Sequence, residues 1–324
     1  MLNVVFAGSP ECAVPSLEAI AGAHRIVAVL TNPSSAKGRS RELVPTPVAA
    51  AAERLRAEGL IEPDTPVLTP EKITQETRDA IAARKPDVLA CFAYGKIFGP
   101  KSLALYPKGA INLHPSLLPR WRGSTPVPAS ILARDAETGI TVQLMSLGMD
   151  EGDILIQTRF SLNGTETAGS LLERAAVEGA PLMVEALRLI DRGEAVARPQ
   201  SGEPTYCAEL KKEDGEIDWS RTAPEIDALV RAFTPWPGAY TSAGDAVLII
   251  HEAVPVATAG DPPAAKPGTV VGIDKQKGIL VQTGEGLLAL RTLQWRTKKV
   301  LDWKSFINGS RDFAGTLLGS MAQE

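Results

Sequence analysis

Five short apolar runs, Leu2–Ala7, Ile26–Thr31, Asp87–Ala93, Ala110–His114 and Ile140–Ser146, recur through the first half of the chain between stretches of helical character. Strands separated by helices cannot be joined as tight hairpins. They read as βαβ units, so the expected core is an α/β, Rossmann-like and mostly parallel sheet. Thr69-Pro70-Glu71 supplies a cap, a proline for the first turn and an early acid, which predicts a helix from about Pro70 towards Arg84. Leu172, Ala175, Ala176, Met183, Ala186, Leu187 and Ile190 repeat at helical spacing, and a first domain of residues 1–190 is expected to close on that helix. Residues 191–207 have no periodicity and carry two prolines, which predicts a linker.

The chain then changes character. Thr222 and Glu225 form a capping box ahead of Ile226, Leu229, Val230 and Phe233, an amphipathic helix. Val247–Ile250, Thr269–Ile273, Ile279–Gln282 and Leu287–Leu293 are short apolar strands separated by glycine turns. A C-terminal domain of residues 208–324 is expected as a small β-barrel, OB-like in outline. A length of 324 residues suits two cores better than one.

Several function classes lose support. Gly8-Ser9-Pro10-Glu11 after the first strand is not a dinucleotide fingerprint. Cys12, Cys91 and Cys207 are scattered and odd in number, so they read as structural thiols, and no histidine or carboxylate spacing makes a cage: no metal is expected. No serine sits in a nucleophile elbow. No apolar run reaches a membrane span, and Leu2–Ala7 carries no basic leader, so a cytoplasmic protein without membrane partners is expected, as a monomer.

The chemistry concentrates in one strand and one loop. Asn112 and His114 are two apart, so they share a strand face, and Pro115 ends the ladder just beyond them. Asp150 lies between Gly148 and Gly152, which let its loop approach closely. An amide and an imidazole can stabilise a tetrahedral oxyanion while the carboxylate takes a proton, which suits direct acyl transfer to an amine. His24 and His251 have no such company and read as surface or packing residues.

Two basic segments stand apart from the net charge of −4. Lys37-Gly38-Arg39-Ser40-Arg41 forms a loop between the second strand and Pro45, where a solvated loop is the ordinary explanation. Arg291, Arg296, Lys298, Lys299 and Lys304 face only Asp302 in their window, with Trp295 and Trp303 among them. Such a patch could track a nucleic-acid backbone, and the tryptophans could equally be core residues.

The run Ile111-Asn112-Leu113-His114-Pro115-Ser116-Leu117-Leu118-Pro119-Arg120-Trp121-Arg122-Gly123, with Gly148-Met149-Asp150-Glu151-Gly152-Asp153, strongly resembles the formyltetrahydrofolate-dependent transformylases. The resemblance extends over nearly the whole chain, including Phe6-Ala7-Gly8-Ser9-Pro10 and Arg231-Ala232-Phe233-Thr234-Pro235-Trp236-Pro237. It implies 10-formyltetrahydrofolate as cosubstrate, Asn112, His114 and Asp150 as the catalytic trio, and Ser116-Leu117-Leu118-Pro119 as the folate-binding motif. Within the family the chain is most similar to members that formylate the α-amine of methionine on charged initiator tRNA for translation initiation. In that case Lys37, Arg39 and Arg41 belong to a loop that enters the tRNA acceptor end, and Lys298 and Lys299 are the candidate tRNA contacts of the second domain. The loop is less basic than in those relatives, with Ser34, Ser35 and Glu42 where charge or lysine is usual. Formylation of an amino-sugar nucleotide, or an RNA-binding module without activity, are the alternatives.

Overall fold

A computed structural model of the chain describes residues 1–37, 42–257, 265–310 and 312–319. Two compact units emerge: Met1–Pro126 with Glu137–Ser161 and Leu172–Ala208, and Val127–Ala136 with Leu162–Leu171 and Glu209–Glu324. Among the described residues no helix is long and apolar enough to cross a membrane.

The first unit is built on seven strands: β1 (Asn3–Ala7), β2 (Arg25–Leu30), β3 (Val67–Leu68), β4 (Val88–Cys91), β5 (Ala110–His114), β6 (Glu137–Leu144) and β7 (Ile154–Ser161). Their order is β7-β6-β5-β4-β1-β2-β3. The β3 to β5 part is parallel, and β6 and β7 continue it antiparallel. Strand alternation divides the core: Val4 and Phe6 pack on one face with Leu17, Ile20 and Leu187, and Val5 and Ala7 on the other with Leu89 and Tyr106. Each fully buried valine, leucine, isoleucine or phenylalanine among them contributes about 1.5–3 kcal/mol. From β1 the chain builds outward to β3, then returns and builds outward from β4 to β7. The switch between β1 and β4 is where folds of this kind open a crevice at the carboxyl ends of the strands.

Three differences from the sequence reading have physical causes. The helix expected from Pro70 starts a turn later, at Gln75–Ala82, because Thr74 rather than Thr69 caps it by accepting from Thr77 N–H. Pro70 lies in the loop before it, its carbonyl taken by Lys96 Nζ. The sequence gives no clear sign of the edge strand β7, since it is only half-buried and its apolar run is broken by Gln157, Thr158 and Arg159. The stretch 191–207 is not a free linker. Its first two residues finish the helix Ala168–Arg192, and the remainder belongs to the first unit: Arg198 bridges Ile154, and Tyr206–Cys207 pairs in parallel with Arg122–Gly123.

The second unit carries the helix Ala223–Ala232, closed at its start by the reciprocal Thr222 and Glu225 box. Its sheet is antiparallel: β8 (Ala239–Ala243), β9 (Ala246–Val256), β10 (Val270–Asp274), β11 (Gly278–Gln282) and β12 (Leu287–Trp295), in the order β8-β9-β12-β11-β10. Leu248, Ile250, Ile279, Val281, Leu288, Leu290 and Leu293 fill its core. Among the described residues the ladders form an open path from β8 to β10.

Candidate active site

His114 ends β5 with its side chain buried. Its Nε2 lies 2.8 Å from the carbonyl oxygen of Trp121, and its Nδ1 lies 3.6 Å from Asp150 Oδ2. A carbonyl can only accept, so the neutral ring carries its proton on Nε2 and turns the Nδ1 lone pair towards the carboxylate. Two acceptors facing each other are a place for a proton. Burial holds the imidazole below the usual histidine range, while the Asp150 carboxylate and the Trp121 hydrogen bond pull the other way.

Asp150 sits in the left-handed region at φ 54°, a conformation that its surroundings enforce. Gly123 N–H donates to its Oδ2 at 2.9 Å, and Gln143 Nε2 donates to its Oδ1 at 2.8 Å. Gln143 is the β6 partner of Asn112, so the ladder itself sets the carboxylate beside the row of Asn112 and His114. The glycines earn their positions differently. A Cβ on Gly152 would stand 1.7 Å from the Leu144 carbonyl oxygen, a close approach that only glycine permits, whereas one on Gly148 would meet the flexible Glu151 side chain.

Asn112 is half-buried, and its side-chain amide has no hydrogen-bond partner among the described residues, which leaves its donors for a ligand. In the expected folate motif, Ser116 is fully buried and donates its hydroxyl to the Arg120 carbonyl at 2.6 Å. Thr141 accepts from Leu118 N–H and donates to the Ser116 carbonyl, and Gln157 holds the Leu118 carbonyl, while the Leu118–Pro119 peptide is cis. Ser116 and Leu118 therefore shape the turn, and Leu117 and Pro119 are its half-exposed side chains.

Sequence reasoning missed Gln200. Its Nε2 donates to the carbonyls of Asp150 (2.7 Å) and Gly152 (2.8 Å), and its Oε1 accepts from Arg122 Nε (3.1 Å) and Nη2 (2.9 Å). Nothing local marks it, since its partners lie about 50 or more positions away in sequence. Burial pushes the thiol of Cys91 up to about 12 and that of Cys12 to about 11, so neither offers a thiolate at neutral pH.

Of the basic residues, Arg39, Arg41 and the side chain of Lys37 lie outside the described residues; next to them the backbone of Ser35–Lys37 pairs with Glu42–Val44. Lys298 and Lys299 are exposed, and Lys298 lines a cavity of about 540 Å³ with Asp245, Trp295 and Arg296. Trp295 is committed to packing against Phe306 and Phe313, with ring centroids 5.4 and 6.2 Å away.

Known proteins place this site in context. Residues 2–187 match the formyl transferase family model and residues 209–311 the model of the formyl transferase C-terminal domain. A methionyl-tRNA formyltransferase of Treponema pallidum is 49% identical over 312 residues, covering 96% of this chain and 97% of that protein; one of Treponema denticola is 47% identical over 315 residues, covering 96% and 98%. At 18% identity, the fold is shared with an N-formyltransferase of Helicobacter canadensis solved with folinic acid and dTDP-3-aminofucose, at a TM-score of 0.62 over 90% of this chain and 99% of that one. It is shared at 17% with a methionyl-tRNA formyltransferase from Clostridium thermocellum, at 0.54 over 78% and 93%. With both of its parts matched and relatives close to half identical along nearly its full length, the chain belongs to the formyl transferase family.

Proposed function

We propose that this enzyme transfers the formyl group of 10-formyltetrahydrofolate to the α-amine of methionine on charged initiator tRNA, with Asn112, His114 and Asp150 as its catalytic groups. The observation that carries the chemistry is the His114 Nδ1 to Asp150 Oδ2 approach of 3.6 Å beside Asn112, whose amide has no hydrogen-bond partner among the described residues. The choice of acceptor rests on relatives of that name at 47–49% identity.

An α-amine has a reference pKa of about 7.7–8.0, so on the order of a tenth is neutral and nucleophilic near pH 7. It attacks the formyl carbon, and the carbonyl oxygen takes up the electron pair. The Asn112 amide donates to that oxyanion. The proton on the attacking nitrogen passes to the acceptors of Asp150 and His114, and the protonated ring then offers Nδ1–H as a second donor. The bond from carbon to the folate nitrogen breaks, and that nitrogen leaves with the proton. The products are tetrahydrofolate and the formylated aminoacyl-tRNA.

Lys37, Arg39, Arg41, Lys298 and Lys299 are the candidate contacts to the tRNA, the lysines of the second unit through phosphates. Incubation with 10-formyltetrahydrofolate and charged initiator tRNA should give formyl-methionine. Efficient formylation of an amino-sugar nucleotide with none of the tRNA would replace this acceptor.

A further inference from the structure

We propose that the segment Arg198–Cys207 is a strap that positions the catalytic pair, with Gln200 and Thr205 as its positioning residues; this rests on the catalytic reading of His114 and Asp150. Residues 188–208 fall between the stretches that the two family models match. The strap holds the backbone of Asp150 directly and reaches His114 through the Trp121 carbonyl.

On the Asp150 side the link is Gln200. One amide nitrogen holds two carbonyls of the turn that carries Asp150, those of Asp150 itself and Gly152. The amide cannot rotate away, because its oxygen is held by the Arg122 fork, and Arg122 is itself mostly buried and paired with Glu151 at 3.5 Å. On the His114 side the link is Thr205. Its Oγ1 accepts from Trp121 N–H at 2.8 Å and its carbonyl from Arg122 N–H at 2.8 Å. These bonds fix the peptide whose carbonyl orients the His114 ring, while Trp121 sits at φ 61°. Gly123, whose N–H holds Asp150, is tied to the same ladder: a Cβ there would lie 2.2 Å from the Cys207 carbonyl oxygen. Three residues with positive φ, Trp121, Gly123 and Asp150, thus converge on the pair and are held from one side by the strap.

A bond network of this kind sets orientation rather than substrate affinity, and misplacement of a reacting group by about 1 Å can cost on the order of 100-fold in rate. In the full-length enzyme, Gln200→Ala and the near-isosteric Gln200→Glu, which loses both N–H donors, should lower kcat by about 10- to 100-fold with KM for folate and tRNA nearly unchanged. Thr205→Val should behave alike, and Thr205→Ser, which keeps the acceptor, should restore most of the activity. Asp150→Asn is measured in the same assay. If Asp150→Asn is inactive while both Gln200 variants and Thr205→Val keep wild-type kcat, the strap proposal alone is overturned. An active Asp150→Asn overturns it together with the catalytic reading.

Discussion

Gln143 Nε2 and Asp150 Oδ1 are 2.8 Å apart, so one carboxylate oxygen is held by an amide that can only donate there, and the other receives Gly123 N–H. Asp150→Asn puts an NH2 against one of these donors as well as removing the proton acceptor. We expect kcat to fall by at least 10²-fold, with retained folate affinity as the check that the fold survives. Activity across neutral pH would move the base elsewhere.

Asn112→Ala should lower kcat by roughly 10²–10³ while KM changes little, the usual consequence of removing a donor that meets charge only in the transition state. Steady-state kinetics on charged tRNA decide it. A rise in KM at constant kcat would make Asn112 a binding residue instead.

Gly152→Ala forces a Cβ against the Leu144 carbonyl at 1.7 Å, and that contact is backbone, which cannot swing aside. The loop must shift, so a loss of about 2 kcal/mol or more in chemical denaturation should accompany a loss of turnover. Gly148→Ala, which meets only the Glu151 side chain, is the milder comparison.

Stability should depend on pH through two buried histidines. Desolvation is the main cause that holds both His24 and His114 below the usual range; for His24, Asp191 opposes it and the terminal ammonium and Arg188 add to it. Below the unfolded value of about 6.5 the unfolded chain binds more protons than the folded one. The stability is therefore present above about pH 6.5 and lost as pH falls towards the folded-state values. Calorimetry between pH 7 and 5 should show a falling Tm, and His24→Gln should flatten the slope. An equal slope in that variant would remove His24 from the account.

Lys298→Ala with Lys299→Ala should weaken tRNA binding and reduce its salt dependence, since fewer phosphate contacts release fewer counterions. A titration in which the slope of log K against log salt is unchanged would confine both lysines to a solvated surface.

Much of the framework was legible because its signals are local. Asn112 and His114 share a strand with period two, and the tight turn at Asp150 is written in Gly152, whose packing leaves no room for a side chain. The reciprocal Thr222 and Glu225 cap is a four-residue pattern, and it forms as read. Where two signals competed, the sequence misled: Thr69-Pro70 looks like a helix start, but Thr74 offers the side chain that the helix uses. Edge strand β7 was hidden because partial burial removes the continuous apolar run. Gln200 was invisible for a different reason. An aperiodic, proline-containing segment carries no trace of long-range hydrogen bonds to Asp150 and Arg122.

The parallel pairing of Tyr206–Cys207 with Arg122–Gly123 bears on how such chains can be recombined. A chimera that exchanges second domains among relatives at the end of the long helix, near Arg192, would import a foreign partner for the backbone around Trp121. Moving the crossover beyond Ala208 keeps that ladder native. A seam that leaves this ladder intact therefore lies beyond Ala208, sixteen residues after the long helix ends at Arg192.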